Sequence, residues 1–160
     1  MFLLPTFPGW DGMHALLIHI PLTLFFLAPV FALIAACSRA ANRRAFLTST
    51  LMLMLFGTIS TYVAFEAGEA VKIADLSQEA KAIVERHREF AELTRSSFTV
   101  ATLLFGLSAV ICMSFHLGVR ELTAVLPLGA AAFYVLGFFW LIQAARQGEK
   151  LVHEFGVGIL

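Results

Sequence analysis

The stretch MHALLIHIPLTLFFLAPVFALIAAC, residues 13–37, carries no Asp, Glu, Lys or Arg. At about 1.5 Å of rise per residue, roughly 20 predominantly apolar residues cross about 30 Å of hydrocarbon as a helix, and this run is long enough. Three similar runs follow, near 45–65, 97–119 and 122–145. The connections SRAANRR (38–44) and VRE (119–121) permit only antiparallel neighbours. The pattern predicts an all-α integral membrane protein: an antiparallel four-helix bundle forming a single domain over residues 1–160. An apolar content of 59% and a mean hydropathy of +0.85 agree, lying far outside the range of soluble globular chains.

Between the second and third runs lies EAGEAVKIADLSQEAKAIVERHREFAELTRS (66–96), charged yet rich in helix formers. Its stop-and-start signal is ADLSQEA (74–80), with Asp75 or Ser77 as N-cap and Gln78 or Glu79 in the first turn. The second and third helices are therefore expected to extend beyond the bilayer as a hairpin. No internal repeat or linker is read in the sequence. No basic block supports nucleic-acid binding, and Cys37 and Cys112, outside any CxxC arrangement, read as free buried thiols. MFLLPTFPGWDG has no Lys or Arg ahead of the first span, so that span is expected to act as its own insertion signal.

Orientation rests on charge. Only Asp11 precedes the first span, whereas Arg39, Arg43 and Arg44 follow it, which by the positive-inside rule places the amino terminus outside. Lys72, Lys81, Arg86, Arg88, Arg95, Arg146 and Lys150 pull the other way but are spread out and interleaved with acids. The dense short flank decides for both termini outside, which in a bacterial inner membrane means periplasmic.

That topology gathers His14, His19, His87 and His153 at one membrane face and leaves His116 at the other. An imidazole in an apolar setting costs free energy unless something binds it. Five residues at about 100° each set His14 and His19 about 140° apart, so they serve separate sites unless Pro21 breaks the helix between them. His87, Ala91, Thr94 and Phe98 share one stripe of the third helix, and Gly57, Thr61, Ala64 and Gly68 form a small-residue stripe on the second. On the fourth, Gly129, Ala132 and Gly137 permit association with other helices. Glu66 and Glu69 read as solvated helix-end residues.

Neutral imidazole ligates heme iron, and facing helices of a bundle can supply one from each side of a porphyrin. Four histidines then serve one or two hemes b, with Arg86, Arg88, Arg95 and Arg146 as partners for propionates. Depth arithmetic resists this pairing. Counted along straight helices from the opposite face, His19 lies about 27 Å up, His14 about 35 Å, and His87 and His153 near 47 Å. Level ligands then require either a His87–His153 pair above the membrane or a fourth helix that ends at Gly148, with LVHEFGVGIL (151–160) folding back toward His14.

HALLIHIPLTL (14–24), the Gly-containing end of the second helix, the histidine ahead of the third and the terminal GEKLVHEFGVGI (148–159) together resemble the bacterial four-helix membrane proteins of domain-of-unknown-function family 2231. Where that family often has a His-Pro pair at the first histidine, Ala15 follows His14 here. The resemblance implies the four-helix architecture, directs attention to the four histidines and favours a redox role without supplying a reaction.

The expected function is a b-type cytochrome: an electron-transfer protein or redox-complex subunit linking the quinone pool to a partner such as a cytochrome c. Other membrane subunits or a homo-oligomer are expected partners beside the lipid. The rivals are a copper or zinc binding or transport protein using the same histidines, and a non-catalytic structural subunit. No arrangement for a hydrolase or kinase is present.

Overall fold

The computed structural model describes residues 9–10, 12–70, 76–114 and 122–157. Five helices follow in order: α1 (His14–Leu17), α2 (His19–Cys37), α3 (Ala40–Glu69), α4 (Gln78–Ser114) and α5 (Leu122–Phe155), with no strand among the described residues. Among the described residues four helical stretches are long and apolar enough to cross a membrane: His14–Cys37, Asn42–Glu69, Gln78–Ile111 and Gly129–Phe155. The fold is the all-α four-helix bundle that the apolar runs require. Asp75, His116 and Arg120 lie outside the described residues, as does the side chain of Cys112.

α1 and α2 form one span with a local fault. Pro21 has no N–H to give the carbonyl of Leu17, so the regular ladder lapses at Ile18. Ile18 nevertheless keeps helical dihedrals, and the bonds Ile18 N–H to His14 O (3.1 Å) and Leu22 N–H to Ile18 O (3.3 Å) carry the helix across. The phase between His14 and His19 therefore survives the proline. Ser38 and Arg39 are extended, and the Arg39 carbonyl accepts from the N–H groups of Asn42 and Arg43 (both 3.0 Å), turning the chain into α3.

At about 1.5 Å per residue, the 30 residues of α3 and 37 of α4 make helices longer than the hydrocarbon core, so both reach past it. Ser77 caps α4, its Oγ accepting the N–H of Ala80 at 3.2 Å, and Glu79 sits in the first turn, where a negative charge favours the helix dipole. α5 does not stop at Gly148. It runs on to Phe155 and ends where Gly156 adopts φ +65°, with Gly156 N–H bonded to Val152 O and Val157 N–H to Leu151 O. The fold-back at Gly148, one of the two alternatives for levelling the ligands, does not occur: the helix is continuous because the left-handed cap lies eight residues later.

α2 packs on α3, α3 on α4 and α4 on α5. At the centre the rings of Phe25 (α2) and Phe98 (α4) stack at 3.7 Å with an interplanar angle of 11°. Each is backed by a glycine. A Cβ on Gly57 would stand 2.8 Å from Phe25 Cε1, and one on Gly137 3.1 Å from Phe98 Cε1. Tyr134 of α5 meets both rings edge-on and donates its hydroxyl to the Phe25 carbonyl. Thr58 and Thr102 join α3 to α4 through a buried hydroxyl pair at 2.8 Å.

Leu33, Leu103 and Val135 each leave about two thirds of their surface outside the bundle, with many other large apolar residues. An apolar exterior on this scale is stable only in lipid, so the chain is a multi-pass membrane protein. Cys37, expected to be buried, is exposed because it closes α2 on the outward side of its last turn. Gly137 and Gly129 serve contacts within the chain, Gly129 lying against Leu104, whereas Ala132 is exposed.

The packing reveals an internal repeat that the sequence reading did not. His14, Phe25 and Ala28 on the first span correspond at one constant offset to His87, Phe98 and Ala101 on α4. Gly57, Ala64, Gly68 and Glu69 on α3 correspond likewise to Gly137, Ala144, Gly148 and Glu149 on α5. The chain is two helical hairpins of the same construction, and the Phe25–Phe98 stack is where they meet.

Candidate functional site

Eleven residues above that stack, about 16 Å along each helix, the same construction recurs with histidines in place of phenylalanines. His14 Nδ1 lies 2.7 Å from the carbonyl of Ala64 on α3, and His87 Nδ1 lies 2.8 Å from the carbonyl of Ala144 on α5. A carbonyl oxygen only accepts, so in both rings the proton is on Nδ1. The neutral ring then carries its lone pair on Nε2. Both histidines are half-buried, and their ring centroids are 6.1 Å apart with an interplanar angle of 83°.

The glycines explain how the carbonyls become accessible. A helical Cβ leans toward the N-terminal turn, so a side chain four residues after Ala64 would overlie its carbonyl. Gly68 leaves that surface bare: a Cβ there would stand 3.0 Å from both Nδ1 and Cε1 of His14. Gly148 does the same beside Ala144, where a Cβ would lie 3.3 Å from His87 Cε1. Each imidazole is seated on the backbone of its hairpin partner, in the manner of histidines whose other nitrogen binds a metal. The small-residue stripe on α3 thus seats both Phe25 and His14.

The depth mismatch vanishes for a related reason. Helix ends in this bundle are not flush, and register is set by the Phe25–Phe98 stack. Equal distances from that stack bring His14 and His87 level. Continuous helix through Gly148 carries His153 beyond the pair to an exposed position, and the 140° phase turns His19 outward, where it is also exposed. The structure brings together His14 and His87 and leaves His19 and His153 apart from them.

The four arginines are dispersed. Arg88 pairs with Glu69 at 2.8 Å and approaches Glu92 at 3.8 Å. Arg95 lies over the rings of Phe65 (4.3 Å) and Tyr62 (4.9 Å). Arg86 and Arg146 are exposed, Arg146 beside a surface cavity of about 380 Å³ that Glu149, Lys150, His153 and Glu154 also line. Glu66 is exposed. Among the described residues no group of three or more His, Cys, Asp or Glu is disposed to hold a metal ion, so the three or four imidazoles of a copper or zinc site are not assembled.

Sequence reasoning found His14 and His87 but missed the roles of Ala64, Ala144 and Gly148. The signal was present as the paired spacings His-x10-Phe and Gly-x6-Ala-x3-Gly-Glu, which gain meaning once the hairpins are superposed. Comparisons with protein-family models, curated proteins and solved structures match nothing to this chain.

Proposed function

We propose that the protein is a b-type cytochrome of a bacterial inner membrane, binding one heme b between His14 and His87 near the periplasmic face, with both termini on that side. The observation that carries the reading is the pair of level imidazoles, each with Nδ1–H held by a backbone carbonyl and Nε2 left to ligate. Their ring centroids lie 6.1 Å apart, and the two rings would together hold the heme iron.

Heme held there would supply one-electron chemistry. The chain's own contribution is to fix both rings through Ala64 and Ala144, to exclude water with the apolar bundle below, and to leave Arg86 and Arg146 at the same end for propionates. Lipid-soluble quinone on one side and a cytochrome c on the other are the fitting redox partners, with the protein acting alone, as a homo-oligomer or as a subunit of a larger complex. Membership of domain-of-unknown-function family 2231 is part of the same proposal, resting on residues 14–24 and 148–159.

A reduced-minus-oxidised spectrum of the protein purified in mild detergent tests the reading. Sharp Soret and alpha bands of low-spin heme are expected, lost in His14→Ala and in His87→Ala but retained in His19→Ala and His153→Ala. Full heme content with an unchanged spectrum in His14→Ala overturns the assignment. Stoichiometric zinc or copper in place of iron favours the metal-binding rival.

A further inference from the structure

The repeat equates two seams of the bundle, α3 with α4 and α5 with the first span, yet the two are built differently. At the α3/α4 seam the helices approach closely and the wall beside the histidines is filled. Arg88 meets Glu69, Arg95 covers Phe65 and Tyr62, and Tyr62 reaches Thr99 at 3.2 Å. By the repeat, the positions that correspond at the other seam are Ala15 and Glu149, and Leu22, Ala145 and Ile142. Arginine and phenylalanine are thus replaced by two alanines, both exposed. Among the described residues no Cα of α1 or α2 comes within 8 Å of one in α5. Lower down the gap is closed by Phe26 against Phe138 at 5.0 Å and by Tyr134 on the Phe25 carbonyl. Among the described residues these contacts lie below the level of the histidine pair.

We infer that the seam between Ala15 and Ala145 is the lateral mouth of the His14–His87 site, through which a planar tetrapyrrole enters and beyond which one of its edges remains. The inference rests on the heme reading above. A tetrapyrrole held by both imidazoles would be wider than the spacing of packed helices, about 8–10 Å, and would leave the bundle between two of them. One seam is blocked by an ion pair and a cation–aromatic cluster, and the other is walled by alanine.

The test closes the open seam with the residues of the closed one. Ala145→Phe copies Phe65 and Ala15→Arg copies Arg88, both at exposed positions. Ala132→Phe, exposed lower on α5, is the control. Each protein is expressed in cells supplied with heme and assayed for heme per polypeptide, and the heme-free forms in liposomes are assayed for the rate of hemin capture. Helix content by circular dichroism verifies folding. The expected result is at least a fivefold fall in heme content or a tenfold slower capture in Ala145→Phe and in Ala15→Arg, with Ala132→Phe at the wild-type level. Should one variant fail to fold, the other decides. Wild-type content and capture rate in a folded Ala145→Phe or Ala15→Arg overturn the inference while leaving the cytochrome reading intact. Absence of heme from the wild-type protein overturns both.

Discussion

Replacing Gly57 with Ala offers a test of the packing whose sign depends on a second residue. The new Cβ would lie 2.8 Å from Phe25 Cε1, 3.1 Å from Cδ1 and 3.2 Å from Cζ, against an optimal carbon–carbon separation of about 3.5–4.0 Å. The ring has little room to retreat, since its other face lies 3.7 Å from Phe98, which is itself backed by Gly137. Overpacking of this kind costs about 1–3 kcal/mol, and the enclosed position of Phe25 places the expected loss near 2 kcal/mol. In a Phe25→Ala background the obstructing ring is gone. There the substitution only exchanges glycine for a better helix former, worth up to about 1 kcal/mol in its favour. The coupling between the two sites should thus be about 2–3 kcal/mol, with a reversal of sign. Reversible unfolding of the four proteins in mixed micelles, followed by far-ultraviolet circular dichroism, measures it. An equal penalty for Gly57→Ala in both backgrounds would refute the stacked-ring account of register. Gly137→Ala should cost less, because its Cβ meets Phe98 at 3.1 Å.

Tyr134→Phe removes the hydroxyl bond to the Phe25 carbonyl and should lower stability by about 0.5–1.5 kcal/mol in the same unfolding assay while leaving helix content unchanged. Ser77→Ala removes the cap on the Ala80 N–H and should cost about 1 kcal/mol, seen as faster amide exchange confined to the first turn of α4; unchanged exchange there would remove Ser77 as the cap.

Some of the site was legible in linear order and some was not. His14 and His87 were singled out because an imidazole beside an apolar run needs an explanation, whereas the helical phase that was read as giving His19 a site of its own leaves it exposed. A helix end at Gly148, one of the two arrangements considered, does not occur, since glycine signals a C-cap by its local conformation but serves equally where a neighbouring ring must lie on the backbone. That second role depends on a partner some sixty residues away, His87, which no local pattern reveals. Levels counted from helix ends failed for a similar reason: ends are set by solvation and loop length, whereas register is set by the packed rings.

Hydropathy and span length, acting through the cost of exposing backbone and charge to hydrocarbon, determined four helices, their alternating direction and the projection of α3 and α4 beyond the bilayer. Those are properties of each segment against its solvent. Which histidines meet, that both donate Nδ1–H to a carbonyl, that two hairpins share one construction and that Arg88, Glu69, Arg95 and Phe65 fill the α3/α4 seam were decided by the tertiary structure. These depend on side chains from different helices competing for the same few ångströms, a contest settled by the fit of Phe25 and Phe98 between Gly57 and Gly137.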